Sequence, residues 1–379
     1  MEYKKYKLGE FIDTISDTTP INKDKVILVN TSDVENGYVL NHNHVENKNL
    51  KGQFKKRFRR GDILYSEIRP KNKRFAYIDF EAEDYIASTK LMVLRNKGNI
   101  DNEFLFQLLK SDKIVNRLQM LAESRSGTFP QITFNELSNV DVYIPEVKIQ
   151  KKISEFLQKI DKKIELNNQI NDNLYELGDA LYNEYYSKYE NELPNGYKYL
   201  NLNEVSVNFD SKRKPMSSRE REQHKGTYPY YGATSIIDYV DDYIFDDTYL
   251  LMGEDGTVKT SEGYPVLQYI WGKNWINNHA HVLQGTIIST EYLMFALRKK
   301  NIEALITGAV QPKINQVNMN KIKIIIGTDK VNKKFEEKTK IIVTKIKANT
   351  IENETLTQLR DTLLPKLMNG EIDLDKIEI

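Results

Sequence analysis

KIQKKISEFLQKIDKKIELNNQINDNLYELGDALYNEYYSK, residues 148–188, is the stretch whose reading decides the fold. Ile149, Ile153, Phe156, Ile160, Ile164, Ile170, Leu174, Leu177 and Leu181 recur at helical steps. That period places them on one stripe and leaves the Lys and Glu residues on the other faces. At 1.5 Å per residue the predicted helix runs about 60 Å, longer than a globular-domain helix, so its stripe needs a partner.

The partner is a copy. Shifting the chain by 182 places lays Lys148–Leu181 on Lys330–Leu363 without a gap, and 13 of the 34 positions are identical. Unrelated sequences would give roughly two, so this is a long-period internal duplication. Upstream, Pro130-Gln131-Ile132 meets Pro312-Lys313-Ile314, and Val140, Val142 and Ile144 meet Ile322, Ile324 and Ile326. Near the start the offset slips to 194, where Leu8 and Glu10 meet Leu202 and Glu204. The chain is two halves, each a globular domain followed by a long helix.

A chain of 379 residues suits two or three domains. Without cysteine there is no disulfide, thiolate metal site or Cys nucleophile, which suits a cytoplasmic protein. No apolar run approaches the length of a membrane span, and the charged opening MEYKKYKLGE does not resemble a signal peptide. The net charge of +1 hides local asymmetry. Between Lys51 and Arg74, ten Lys or Arg stand against Asp62 and Glu67. Lys212, Arg213, Lys214, Arg219, Arg221 and Lys225 form a second cluster, opposed by Glu220 and Glu222. One such run is usually a solvated face. Two in comparable positions of duplicated domains point to a polyanion partner.

The first 146 residues read as mixed α/β, with strands at Val26–Val29, Asp62–Ser66, Phe75–Asp79, Lys90–Arg95 and Asn139–Ile144. One helix is expected over Glu103–Leu121. The loop at 124–131, rich in Ser, Thr, Arg and Gly, lets backbone N–H groups approach a phosphate. Beyond the breaker Pro194-Asn195-Gly196 the plan repeats. Strands are expected at Tyr228–Tyr231, Asp247–Met252, Gln268–Trp271 and Val282–Leu283, a turn at Glu254–Thr257, and a helix at Glu291–Lys299. Residues 307–314 answer to the loop at 126–132. Similar frames carrying different contents suit a device that reads two different things with one geometry.

GTFPQIT (127–133), V.VYIP (140–145) and Q.KI…L..ID.KI..N..IN..L (150–174) together resemble the specificity subunit of type I restriction–modification systems. LRDTLLPKLMNGEI (359–372) looks like that family's last conserved segment. YYGATSIIDYVDDYIFDDTYLLMGEDGTV (230–258) is similar to one form of its target-recognition domain. Gly327 in place of Pro145, and Gln311-Pro312-Lys313 in place of Phe129-Pro130-Gln131, are departures between the halves.

The resemblance implies an α+β fold: two mixed α/β target-recognition domains in pseudo-twofold arrangement, joined by two long helices packed as an antiparallel coiled coil. The boundaries are 1–146 and 191–329 for the domains, 147–190 for the first spacer helix, and 330–379 for the second helix with the C-terminal segment. It implies a non-catalytic reader of double-stranded DNA, each domain gripping one part of a split site. Two methyltransferase subunits would dock on the helices and bring S-adenosylmethionine, and up to two motor–nuclease subunits would bring ATP and Mg. This chain itself would bind no cofactor, metal or membrane.

The DNA candidates in the first domain are Lys55, Lys56, Arg57, Arg59, Arg69, Lys71, Lys73 and Arg74, with Ser126, Gly127 and Thr128. Arg suits guanine edges and Lys suits phosphate. In the second domain they are Lys212, Arg213, Lys214, Tyr231, Thr234, Ser235, Lys259, Lys273 and Lys313. Helix pairing and partner docking fall to Ile153, Ile160, Ile164, Asn167, Leu174, Leu177 and Leu181, and to Ile342, Ile346, Asn349, Leu356, Leu359 and Leu363. Asn167 and Asn349 sit at equivalent stripe positions, where a polar residue can fix register at a cost in stability; exposed Asn at the stripe edge is the plain alternative.

Competing classes fare less well. A stand-alone DNA-modifying enzyme would need an Asn-Pro-Pro-aromatic tetrapeptide, a Gly-rich nucleotide loop or a G-x-x-x-x-G-K-[ST] segment, and the chain has none. The spacing Asp33…Glu46-x-Lys48 resembles a nuclease pattern but lies in a polar, loop-like stretch. His279 and His281 would share a strand face, yet no third ligand stands at sensible spacing. A coiled-coil adaptor binding only protein explains the helices and leaves both basic clusters unused.

Overall fold

The computed structural model describes residues 2–35, 37–125, 128–308, 311–372 and 374. They form two compact units, 1–165 with 353–379 and 166–352, so each long helix is divided between them.

In unit 1 the strands are β1 (Tyr3–Lys7), β2 (Ile12–Ile15), β3 (Lys25–Val29), β4 (Val34–Glu35), β5 (Tyr38–Val39) and β6 (His44–Glu46). There follow β7 (Phe54–Lys56), β8 (Ile63–Ser66), β9 (Phe75–Tyr77), β10 (Tyr85–Ser88), β11 (Leu91–Asn96) and β12 (Asp141–Pro145). Two four-stranded sheets, β2-β11-β8-β9 and β6-β3-β10-β7, enclose a core of Val29, Leu64, Ala87 and Val93. Helices α1 (Asn102–Lys110), α2 (Asp112–Arg125) and α3 (Phe134–Ser138) cover the first sheet. The single helix expected over Glu103–Leu121 is broken at Ser111, whose backbone is extended (ψ 141°) and whose Oγ donates to Leu108 O at 2.7 Å. Such local side-chain bonding competes with helix continuation. Strand β1 pairs antiparallel with β12, so the chain closes on itself where α4 (Val147–Tyr185) departs.

Unit 2 repeats the order. Its helices and strands are β13 (Lys198–Asn201), α5 (Leu202–Val205), β14 (Ser206–Asn208), α6 (Ser218–Gln223), β15 (Lys225–Tyr231) and β16 (Ile236–Val240). Next come β17 (Phe245–Asp246), β18 (Tyr249–Gly253), β19 (Leu267–Ile270), β20 (Lys273–Ile276) and β21 (Ala280–Gly285). Then α7 (Thr290–Arg298), α8 (Gln316–Met319), β22 (Lys323–Ile326) and α9 (Asp329–Met368) complete it. The sheets β14-β21-β18-β19 and β16-β15-β20-β17, and the closing pair β13-β22, match those of unit 1 position for position.

The long helices run antiparallel. In unit 1, Ile153 and Leu157 of α4 share a core with Leu364, Leu367 and Met368 of α9. In unit 2, Tyr182 and Tyr186 of α4 share one with Phe335, Ile342 and Ile346 of α9. Tyr186, Tyr292 and Phe335 meet with ring centroids 4.9–5.2 Å apart, a geometry worth about 0.5–1.5 kcal/mol per pair beyond area burial. Asn167 and Asn349 are both buried at 1 % exposure. Asn349 Nδ2 donates to Asn171 Oδ1 at 2.8 Å, and Asn167 Nδ2 to Glu352 at 2.8 Å. The exposed alternative is therefore excluded.

Two stripe residues do not pair. Leu177 and Leu359, equivalent under the 182 shift, are 50 % and 44 % exposed. The inward positions here are Asn171, Gly178 and Tyr182. Gly178 takes the place beside Leu177 because the Phe295 ring lies against it; a Cβ there would stand 2.1 Å from Phe295 Cε1. Ile164, Leu174, Leu181, Leu356 and Leu363 are half-buried, while Ile153, Ile160, Ile342 and Ile346 are buried.

Candidate nucleic-acid interface

In unit 1 the later part of the basic stretch, residues 67–74, forms the tip between β8 and β9. Ser66 Oγ accepts from Ile68 N, and Pro70–Asn72 make a short 3-10 turn. Arg69 (φ 44°) and Lys73 (φ 51°) are both left-handed, a backbone region that bulky side chains seldom occupy and that clusters at functional places. The tip is pinned from below: Lys71 N donates to Gln119 Oε1 at 3.1 Å, and Lys73 pairs with Asp112 at 3.1 Å. It also meets the second predicted loop, since Arg69 N donates to Pro130 O at 3.0 Å and its guanidinium reaches Thr128 O at 3.4 Å. The fold thus gathers Arg69, Lys71, Lys73 and Thr128. Ser126 and Gly127 lie outside the described residues.

The rest of that cluster divides by direction. On β7, Lys55 is exposed, whereas Lys56 turns inward and donates to Thr89 O and Leu91 O at 2.9 and 2.8 Å. Burial pushes the Lys56 ammonium below the usual lysine range, with Glu67 opposing the shift. Arg74 is likewise engaged internally, with Ser32 O, Val34 O and Glu35. Lys55, Arg59 and Lys71 form no ion pair among the described residues, and Arg57 is half-buried beside Asp17, whose carbonyl accepts its N–H. Behind them Asp62, 1 % exposed, holds Arg95 in a two-pronged pair at 2.7 and 2.8 Å and accepts from Arg59 N.

Unit 2 builds the same edge from other residues. The turn after β18, Glu254–Thr257, bridges to the loop at 312–314: Gly256 N donates to Pro312 O and Ile314 N to Glu254 O. Arg213, 11 % exposed in its side chain, donates to Glu254 at 2.8 Å and to Ala280 O at 2.6 Å, so it is internal. Lys212 lies over the Phe209 ring, Lys214 O accepts from Trp275 Nε1, and Lys313 pairs with Glu254 at 3.2 Å. Lys259 pairs with Glu303, and Lys273 sits 4.6 Å from the Tyr243 ring centroid. Thr234 and Ser235 are exposed at the β15–β16 turn, and Tyr231 is half-buried on β15.

His281 does acquire neighbours that the sequence did not reveal. Ligand atoms of Asp210, Glu254 and His281 lie within 4.8 Å of one another. The positive charge between them is supplied by the Arg213 guanidinium, and both His281 nitrogens are engaged, with Asp210 at 2.6 Å and Ile314 O at 2.8 Å. Burial works against ionisation of Asp210, but His281, the Val282 N–H and Gln316 outweigh it and hold the carboxyl at about 2. Asp210, Glu254, His281 and Arg213 thus form one largely buried network of mutually paired charges and hydrogen bonds. Asp33 and Glu46, from the nuclease-like spacing, are a turn cap accepting from Asn30 N and an exposed strand residue.

Two basic edges of equal design fit a duplicated reader, and the comparison with known families agrees. The model of the type I restriction modification DNA specificity domain matches residues 1–176 and again 194–361. The chain belongs to that family. The family's description assigns DNA specificity, a recognition role, within type I restriction–modification. Among its relatives is the type I restriction enzyme HindI specificity subunit of Haemophilus influenzae, 29 % identical over 98 % of this chain and all of that one. Another is the type I restriction enzyme MjaIX specificity subunit of Methanocaldococcus jannaschii, 21 % identical over 77 % of this chain and 76 % of the relative. The crystal structure of a type I restriction–modification S subunit from M. genitalium has the same fold, with TM-score 0.55, 17 % identity, and 97 % and 96 % of the two chains covered. No helix among the described residues is long and apolar enough to cross a membrane.

Lys90 was missed by sequence reasoning. It stands beside the 130–132 loop of unit 1, 3.0 Å from Gln131, with its side chain 47 % exposed. A lone lysine opening an expected strand carries no signal of its own.

Proposed function

We propose that this specificity subunit reads a two-part DNA sequence, with residues 1–146 gripping one part and 191–329 the other. Residues 147–190 and 330–379 set the separation and dock two methyltransferase subunits. Those partners would supply S-adenosylmethionine chemistry on adenine, and motor–nuclease subunits joining them would supply ATP- and Mg-dependent cleavage. What carries the reading is the repetition of one edge, tip against loop, with cations on both, in two domains of identical strand order.

The deciding experiment maps methylated adenines genome-wide in cells with and without this chain. A split motif that depends on the chain is expected. Exchanging residues 1–146 for those of another family member should change one part of the motif and leave the other. Deleting four residues between Asn167 and Asn173 shortens the helix by roughly 6 Å and should alter the tolerated gap. A protein-only adaptor would leave the methylation map unchanged in every case.

A further inference from the structure

The two edges share a constellation that the sequence alignment hides. Ile132 N donates to Glu67 O at 2.9 Å, and Ile314 N donates to Glu254 O at 2.9 Å. Arg69 N donates to Pro130 O and Gly256 N to Pro312 O, each at 3.0 Å. Ser66 lies opposite Leu91, and Gly253 opposite Ala280. Glu67 and Glu254 are therefore the same position in the two domains.

Each carboxylate is held from two sides. From inside, Lys56 donates to Leu91 O at 2.8 Å and stands 3.9 Å from Glu67. Arg213 donates to Ala280 O at 2.6 Å and stands 2.8 Å from Glu254. These carbonyls are equivalent, yet Lys56 comes from β7 and Arg213 from the segment ahead of α6. From outside, Lys90 lies 3.8 Å from the other oxygen of Glu67, and Lys313 lies 3.2 Å from the other oxygen of Glu254. Lys90 also bonds Gln131, the residue that stands where Lys313 does. One arrangement has thus been filled twice, by different residues from different elements. That is what a shared demand on geometry leaves behind when sequences diverge.

We propose that Glu67 and Glu254 are positioning residues for DNA discrimination. The main chain of each holds the root of its loop, 130–132 or 312–314, and its carboxylate sets the height at which the outward lysine, Lys90 or Lys313, meets the DNA. An ionised carboxylate has acceptors on both oxygens and can bind both cations at once. An amide turns one of those faces into a donor, which repels one cation and lets the outward lysine shift, while the backbone bonds at the loop root stay in place. The inference rests on the reading of these edges as DNA-binding surfaces.

The test uses complexes purified through the full-length chain, which select sequences from a random DNA pool. Wild type should enrich a two-part motif. Glu67→Gln should lower discrimination in one part by about tenfold, the scale set by a single side chain pairing with a base edge, and leave the other part intact. Glu254→Gln should do the reverse. The salt dependence of overall affinity should stay unchanged, because every phosphate keeps its cation. Variants that select as wild type does, or that lose both parts together, overturn the inference while the two-part reading stands. A wild type that enriches nothing sinks that reading and the inference with it. Should E254Q melt below the assay temperature, Arg213→Lys keeps the charge, gives up the planar fork, and is read by the same outcomes.

Discussion

Replacing Asn349 with alanine should destabilise unit 2 without touching either proposed DNA-binding edge. Asn349 is 1 % exposed and its Nδ2 donates to Asn171 Oδ1, itself on a residue 9 % exposed. Removing the donor leaves that oxygen buried with this bond unmade, a cost of about 1–3 kcal/mol. For a unit of this size, Leu166–Glu352, about 2 kcal/mol corresponds to a fall of roughly 4–8 °C in Tm. The chain's two tryptophans, Trp271 and Trp275, both lie in unit 2, so their fluorescence follows its unfolding selectively. Asn171→Ala alone should cost a similar amount, and the double variant less than the sum, with a coupling of about 1 kcal/mol. Replacing both by leucine should recover much of the loss, since an apolar pair leaves nothing unsatisfied, while loosening helix register. Strictly additive single losses, or an unchanged melt for Asn349→Ala, would refute the idea that this bond ties α4 to α9.

Four further outcomes are expected. Gly178→Ala gains about 1 kcal/mol in helix propensity but sets a methyl 2.1 Å from Phe295 Cε1. Overpacking costs of about 1–3 kcal/mol or more should win, so the tryptophan-monitored melt should fall; a rise would mean the ring swings aside freely. Asp210 is depressed from 3.8 to about 2 in the folded chain, so its stabilisation is full above about pH 4 and lost as pH falls through about 2. Acid titrations of wild type and Asp210→Asn should accordingly converge across that window, and parallel curves would contradict the assignment. Alanine at Lys55, Arg59 and Lys71 should lower the slope of log affinity against log salt by about 0.9 for each phosphate left without its cation. Lys56→Ala should instead lower the unit 1 melt, measured calorimetrically, because its ammonium serves two backbone carbonyls.

The sequence by itself determined the duplication, the two long helices and the two-domain plan. A 3.6-residue period is a local property, and 13 matches in 34 register with no knowledge of space. It also located both basic clusters. Only the tertiary structure decided which of their members face outward. Lys55 and Lys56 are neighbours in sequence and point opposite ways on β7, because successive strand residues alternate faces. Which face is inward depends on the Leu91 carbonyl and Glu67, brought there by other strands. Leu177 belonged to the apolar pattern, yet the seam chose Gly178, since Phe295 arrives from a helix more than a hundred residues away. Asp210 and Glu254 met His281 by the same long-range route. Periodicity records which faces are apolar; it holds no record of which distant side chain will fill them.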